Sequence, residues 1–68
     1  MIKIDDYPNP NPLVDGWQAV WLDGMLVAHV TDKLKLYYLQ PLPPSDREEI
    51  RRAVENKLGP IEKIINVL

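Results

Sequence analysis

Residues 17–30, Trp17-Gln18-Ala19-Val20-Trp21-Leu22-Asp23-Gly24-Met25-Leu26-Val27-Ala28-His29-Val30, read as a β-hairpin that is apolar on both faces. Asp23-Gly24 is the turn. A type I′ turn needs φ > 0 at both central residues, and Asp-Gly tolerates that conformation. A two-residue turn sets an ideal register, with Leu22 opposite Met25, Trp21 opposite Leu26, Ala19 opposite Ala28 and Trp17 opposite Val30. One face then holds Trp17, Ala19, Trp21, Leu26, Ala28 and Val30. The other holds Gln18, Val20, Leu22, Met25, Val27 and His29. A sheet that packs on one side needs only one apolar face, so the second face asks for something to cover it.

Working outward, Thr31-Asp32-Lys33 is polar and reads as the next turn, and residues 34–39 (LKLYYL) as a third strand. A three-residue loop places Leu34, Leu36 and Tyr38 on the tryptophan face and Lys35, Tyr37 and Leu39 on the other. A two-residue loop would exchange the two sets, because a one-residue slip flips every side chain. Three is preferred, since it keeps Lys35 off the aromatic face. Pro41, Pro43 and Pro44 end the strand. Ser45-Asp46-Arg47-Glu48 has the pattern of a capping box, and loss of the Ser45 cap would cost about 1 kcal/mol. A helix over 46–58 follows, with Ile50, Ala53, Val54 and Leu58 as its apolar stripe. It is expected to pack on the tryptophan face. Gly59-Pro60 stops it. Residues 61–67 fit either a fourth strand or a short second helix. The β-branched content and the Gly-Pro break favour the strand.

Toward the N-terminus, Ile2 and Ile4 alternate with Lys3 and Asp5, a weak short-strand signal. Tyr7-Pro8-Asn9-Pro10-Asn11-Pro12 forbids helix and favours extended backbone. Residues 1–12 therefore read as a Pro-rich arm and 13–68 as one compact domain. The expected class is α+β: a small antiparallel sheet of three to four strands (17–30, 34–39 and possibly 61–67) with one helix on one face.

Composition narrows the function. The chain has 68 residues, no cysteine and one histidine, His29. Disulfides and thiolate metal sites are excluded, and no metal or other cofactor is expected. A chain this short has a marginal core and often relies on a second subunit. Eight basic residues against ten acidic give a net charge of −2, with no basic block for nucleic acid. No apolar run reaches the ~20 residues needed to span a bilayer. The N-terminus lacks an apolar signal region, so a cytoplasmic location is expected.

Catalytic groups are scarce. The only serine, Ser45, is used as a helix cap, and nothing joins it to His29 and an acid as a triad. His29 reads as a strand residue opposite Gln18. Asp5-Asp6 and Glu48-Glu49 are chain neighbours, not carboxylates facing across a cleft. Gly16, Gly24 and Gly59 are isolated and form no phosphate loop. No enzyme is expected. Arg47, Arg51 and Arg52 with the sheet aromatics could serve nucleic acid, but Glu48, Glu49 and Glu55 interleave and favour a salt-bridged helix face. The remaining feature is the second apolar face: Val20, Leu22, Met25, Val27, Tyr37 and Leu39. It reads as a protein-binding surface, rimmed by Gln18, His29 and Lys35, for a homodimer or for an adaptor or inhibitor bound to a larger protein.

Overall fold

A computed structural model of the chain describes residues 1–6 and 16–66. The elements are β1 (Ile2–Asp6), β2 (Gln18–Leu22), β3 (Met25–Val30), β4 (Lys35–Tyr38), α1 (Pro44–Lys57) and β5 (Lys63–Asn66). The strands form one sheet in the order β1-β2-β3-β4-β5. The first three junctions are antiparallel and β4–β5 is parallel. That last pairing follows from the helix, which carries the chain back across the sheet so that β5 runs in the direction of β4. The fold is α+β, with five strands in a mixed sheet.

The strand beyond the expected count is β1. Residues 2–6 belong to the sheet, paired with β2 from Ile2↔Leu22 to Asp6↔Gln18, and Ile4 reaches the core. The Pro-rich run 8–12 lies outside the described residues. The closing segment is a strand over Lys63–Asn66 and not a second helix; Val67 and Leu68 lie outside the described residues.

The hairpin departs from its ideal register at one point. Asp23 and Gly24 both have positive φ, 50° and 84°, and Leu22↔Met25 and Trp21↔Leu26 pair as expected. The next pair is Val20↔Ala28, so Val27 is an extra residue, a β-bulge. The expected Ala19↔Ala28 pair is replaced by Ala19↔His29, and Val30 lies opposite Gln18 rather than Trp17. In a bulge, two consecutive residues oppose one on the partner strand. Both Val27 and Ala28 are fully buried.

The bulge decides which face is core. Val20, Val27, Ala28 and Val30 join Ile4, Leu36 and Tyr38 beneath the helix residues Ile50 and Val54. The tryptophans lie on the opposite face. The expected packing of the helix on the tryptophan face is therefore corrected: α1 covers the aliphatic face. The relation of β3 to β4 keeps the expected parity, with Val30↔Leu36, His29↔Tyr37 and Ala28↔Tyr38. The connection is longer than three residues. Thr31 Oγ1 accepts from the Lys33 and Lys35 amides at 3.2 Å each.

The helix begins two residues earlier than the capping box implies. Pro43 is its N-cap, Pro44 takes a first-turn position, and no side chain caps the end. Proline suits this place because its φ is preset and it has no amide proton to satisfy. The Ser45–Glu48 box does not form. Glu48 instead accepts from Arg51 and from Arg52, the latter at 3.1 Å. Ser45→Ala is accordingly expected to change stability by less than about 0.5 kcal/mol, the range of a featureless surface site, and not by a lost cap; urea denaturation measures it. The Tyr38 hydroxyl donates to the Arg47 carbonyl at 3.1 Å, and Lys57 Nζ donates to the Ile4 carbonyl, so both halves of α1 are tied to the sheet.

Candidate interaction face

With α1 on one side, alternation along the strands settles what the other side carries. The cross-strand register places Asp5, Ala19, His29, Tyr37 and Ile65 in one row across all five strands. Lys3, Trp21 and Leu26 form a second row. Trp17, just before β2, completes an aromatic group at the centre. Its ring lies 4.9 Å from that of His29 and 6.2 Å from that of Tyr37, with Trp17 and Tyr37 within 9° of parallel. His29 and Tyr37 are 5.2 Å apart. Ring pairs at these separations each add about 0.5–1.5 kcal/mol beyond area burial.

Polar contacts hold this surface in shape. Trp21 Nε1 donates to Asp5 at 3.2 Å, and Lys3 pairs with the same carboxylate at 3.4 Å. Gln40 Nε2 donates to the Leu26 carbonyl at 2.9 Å. An open groove of about 610 Å³ runs along the β1 side, between Lys3, Asp5, Trp21 and Asp23. Trp17, Trp21, His29, Tyr37 and Ile65 are all half-buried, while Ala19 between the tryptophans is fully covered. Lys35 and Lys63 pair at the far end. The result is an aromatic and aliphatic centre with a charged margin.

Burial pushes the His29 imidazole below its ordinary value, because the ring packing disfavours the charged form. A group with a depressed folded pKa contributes its stability fully above its unfolded pKa. That contribution is lost as the pH falls through the folded value. The melting temperature is therefore expected to drop as the pH is lowered from about 6.5, and the drop is expected to shrink in His29→Gln. Thermal scans between about pH 7 and pH 5 measure both.

The six residues expected to bind a partner do not stay together. Val20 and Val27 are fully buried beneath α1, and Leu22 is half-buried against the same core. They are part of the core and not of an exposed surface. Met25 is exposed at the hairpin end. Leu39 is half-buried just beyond β4, its amide donating to the Val27 carbonyl at 2.8 Å. Of the six, Tyr37 lies in the row that crosses the open face. Trp17, Trp21 and His29, which sequence reasoning assigned to core or rim, accompany it. The signal that could have found them is the run Leu26-Val27-Ala28, where three consecutive small or aliphatic residues leave room for a bulge.

The arginines lie in the other layer. Arg51 bridges Glu48 and Glu55, and Arg52 meets Glu48. The Arg51 guanidinium beside Glu48 holds that carboxyl below its usual range. The sheet thus separates Arg47, Arg51 and Arg52 from Trp17 and Tyr37, so they form no common surface. Among the described residues no helix is long and apolar enough to cross a membrane. Comparison of the chain with models of known families, with curated proteins and with solved structures yields no match.

Proposed function

We propose that this chain is a small non-enzymatic protein-interaction module, a homodimer or an adaptor or inhibitor subunit, that offers the open face of its sheet. One observation supports this reading above the rest: among the described residues a single helix covers one face of a five-stranded sheet, and the opposite face carries the Trp17–His29–Tyr37 stack with Ile65 beside it. Tryptophan and tyrosine dominate binding hot spots because they bury large area at little entropic cost. The surrounding Lys3, Asp5, Lys35 and Lys63 supply a rim that excludes water and sets orientation.

The test is site-specific photo-crosslinking in the cells that make the protein. A photoreactive residue replacing Tyr37 is expected to trap a defined protein, and one replacing Arg52 on the helix is not. Trapping from both positions alike, or from neither, counts against the open face as a binding surface. With the photoreactive residue moved to position 35 on the same face, Tyr37→Lys is expected to remove the crosslinked partner; losing its ring contacts with Trp17 and His29 is expected to cost about 1–3 kcal/mol in urea unfolding.

A further inference from the structure

A five-stranded open sheet has two edges, and this one treats them differently. At β1, the Asp23 amide donates to the Met1 carbonyl at 3.0 Å. Antiparallel alternation then turns the Lys3 and Asp5 backbone groups toward β2 and those of Ile2, Ile4 and Asp6 outward. That outward edge is guarded: Lys57 reaches the Ile4 carbonyl, and Lys3, Asp5 and Asp6 line the strand. Charges and a lysine over an edge are the usual means of preventing strand addition. At β5, the Glu62 amide donates to the Leu34 carbonyl at 2.9 Å. The even-numbered residues therefore bond β4, and the N–H and C=O groups of Lys63 and Ile65 face outward. Among the described residues no hydrogen bond reaches them.

The side chains at this edge are equally open. Ile64 is 45% exposed, and it sits beside a cavity of about 170 Å³ formed with Tyr38, Pro44 and Arg47. The other large exposed apolar residues, Met1 and Met25, lie at the hairpin end of the sheet. Arg47 and Glu62 are both exposed, and among the described residues neither takes part in an ion pair.

We infer that the β5 edge pairs with the β5 edge of a second copy of this chain, antiparallel about a two-fold axis at Ile64. This rests on the interaction reading above but uses a different surface. In that register Lys63 lies opposite the second copy's Ile65, and the two exchange both backbone hydrogen bonds; symmetry repeats the pair. Ile64 meets the second copy's Ile64 at a non-hydrogen-bonded position, where opposing side chains come closest. Glu62 falls opposite the second copy's Asn66 on the helix side. Asn66 pairs with Tyr38, whose hydroxyl holds the Arg47 carbonyl, so the carboxylate is directed toward the second copy's Arg47. Two such ion pairs form, both supplied by this one sequence, and no like charges stand directly opposite each other. An isologous contact of this kind closes at two copies, and the guarded β1 edge prevents further growth. The product is a continuous ten-stranded sheet with both helices on one side.

Sedimentation equilibrium of the purified chain at about 100 μM decides it. Twice the chain mass of 7.9 kDa is expected. Ile65→Pro should restore the monomer while preserving the fold, because proline is tolerated where a strand amide faces away from the sheet; Ile65→Ala, which trims the same open-face side chain but keeps the amide, should leave the dimer in place. Glu62→Arg should weaken dimerisation at least about tenfold, and Arg47→Glu added to the same chain should restore it. A folded wild-type monomer overturns the inference. So does a dimer indifferent to both Ile65→Pro and Glu62→Arg. If that dimer is lost with Tyr37→Lys, the edge contact is wrong and the open-face reading stands. If the edge dimer behaves as expected but nothing is trapped from position 37, the open-face reading is the one that fails.

Discussion

Val27→Glu is expected to leave the chain unfolded at neutral pH. On an ideal hairpin Val27 would share a face with His29, and a charge there would be a surface change. The bulge instead places it with Ala28 beneath α1, fully buried in the core cluster with Val20, Leu36 and Ile50. A carboxylate at that point would be desolvated and unpaired, a change that costs more than about 4 kcal/mol. A 68-residue domain has roughly 3–10 kcal/mol in total, so most or all of its stability goes. Circular dichroism and amide chemical-shift dispersion measure the outcome. Burial would also raise the pKa of the new carboxyl, so partial refolding is expected as the pH is lowered and the group becomes neutral. Met25→Glu, two residues away and exposed, is expected to be tolerated. A well-dispersed spectrum for Val27→Glu at neutral pH would refute the bulged register.

Ile50→Ala is expected to cost about 2–5 kcal/mol, the range for truncating a buried aliphatic side chain where the surroundings cannot collapse. Ile50 and Val54 are the two fully buried residues of α1. They are the means by which a single helix holds a five-stranded sheet. Ala53 and Leu58 contact the same cluster only from its margin. The expected signature in urea is a lower midpoint with an unchanged slope, since the surface exposed on unfolding hardly alters. Arg52→Ala removes only an exposed ion pair with Glu48 and is expected to cost less than about 0.5 kcal/mol.

Local chemistry made much of this molecule legible from its residues. Asp23-Gly24 specified the turn, the Ile50/Val54 spacing specified the buried helix face, and the β-branched run after Gly59-Pro60 specified the closing strand. The misassigned sheet faces share one physical origin. Where two neighbouring faces are both apolar, alternation alone cannot choose between them, and one extra residue at Val27 reverses the choice. The open face carries the same ambiguity: Trp17 and Trp21 read as core because large aromatics usually bury most of their area. The helix start failed for a different reason. Pro44 and Ser45 each offer a way to begin a helix, and the proline, one residue earlier, leaves the serine nothing to cap. The strand Ile2–Asp6 carries only a weak signal in its own residues, because its pairing partner, β2, lies beyond a proline-rich stretch that local patterns cannot bridge.

The bulge also bears on how the chain reaches this structure. The ideal and the bulged hairpins share their first two pairs, Leu22↔Met25 and Trp21↔Leu26. A hairpin closing from the Asp23-Gly24 turn is therefore the same object in both until it passes Leu26. Nothing within the hairpin decides between them, because each offers an apolar face. The decision comes from sequence-distant segments: β1, which brings Ile4 to Val20, and α1, which brings Ile50 and Val54 to the same side. In the folded chain it is these two distant segments, and not the hairpin's own pattern, that distinguish the bulged register from the slipped one.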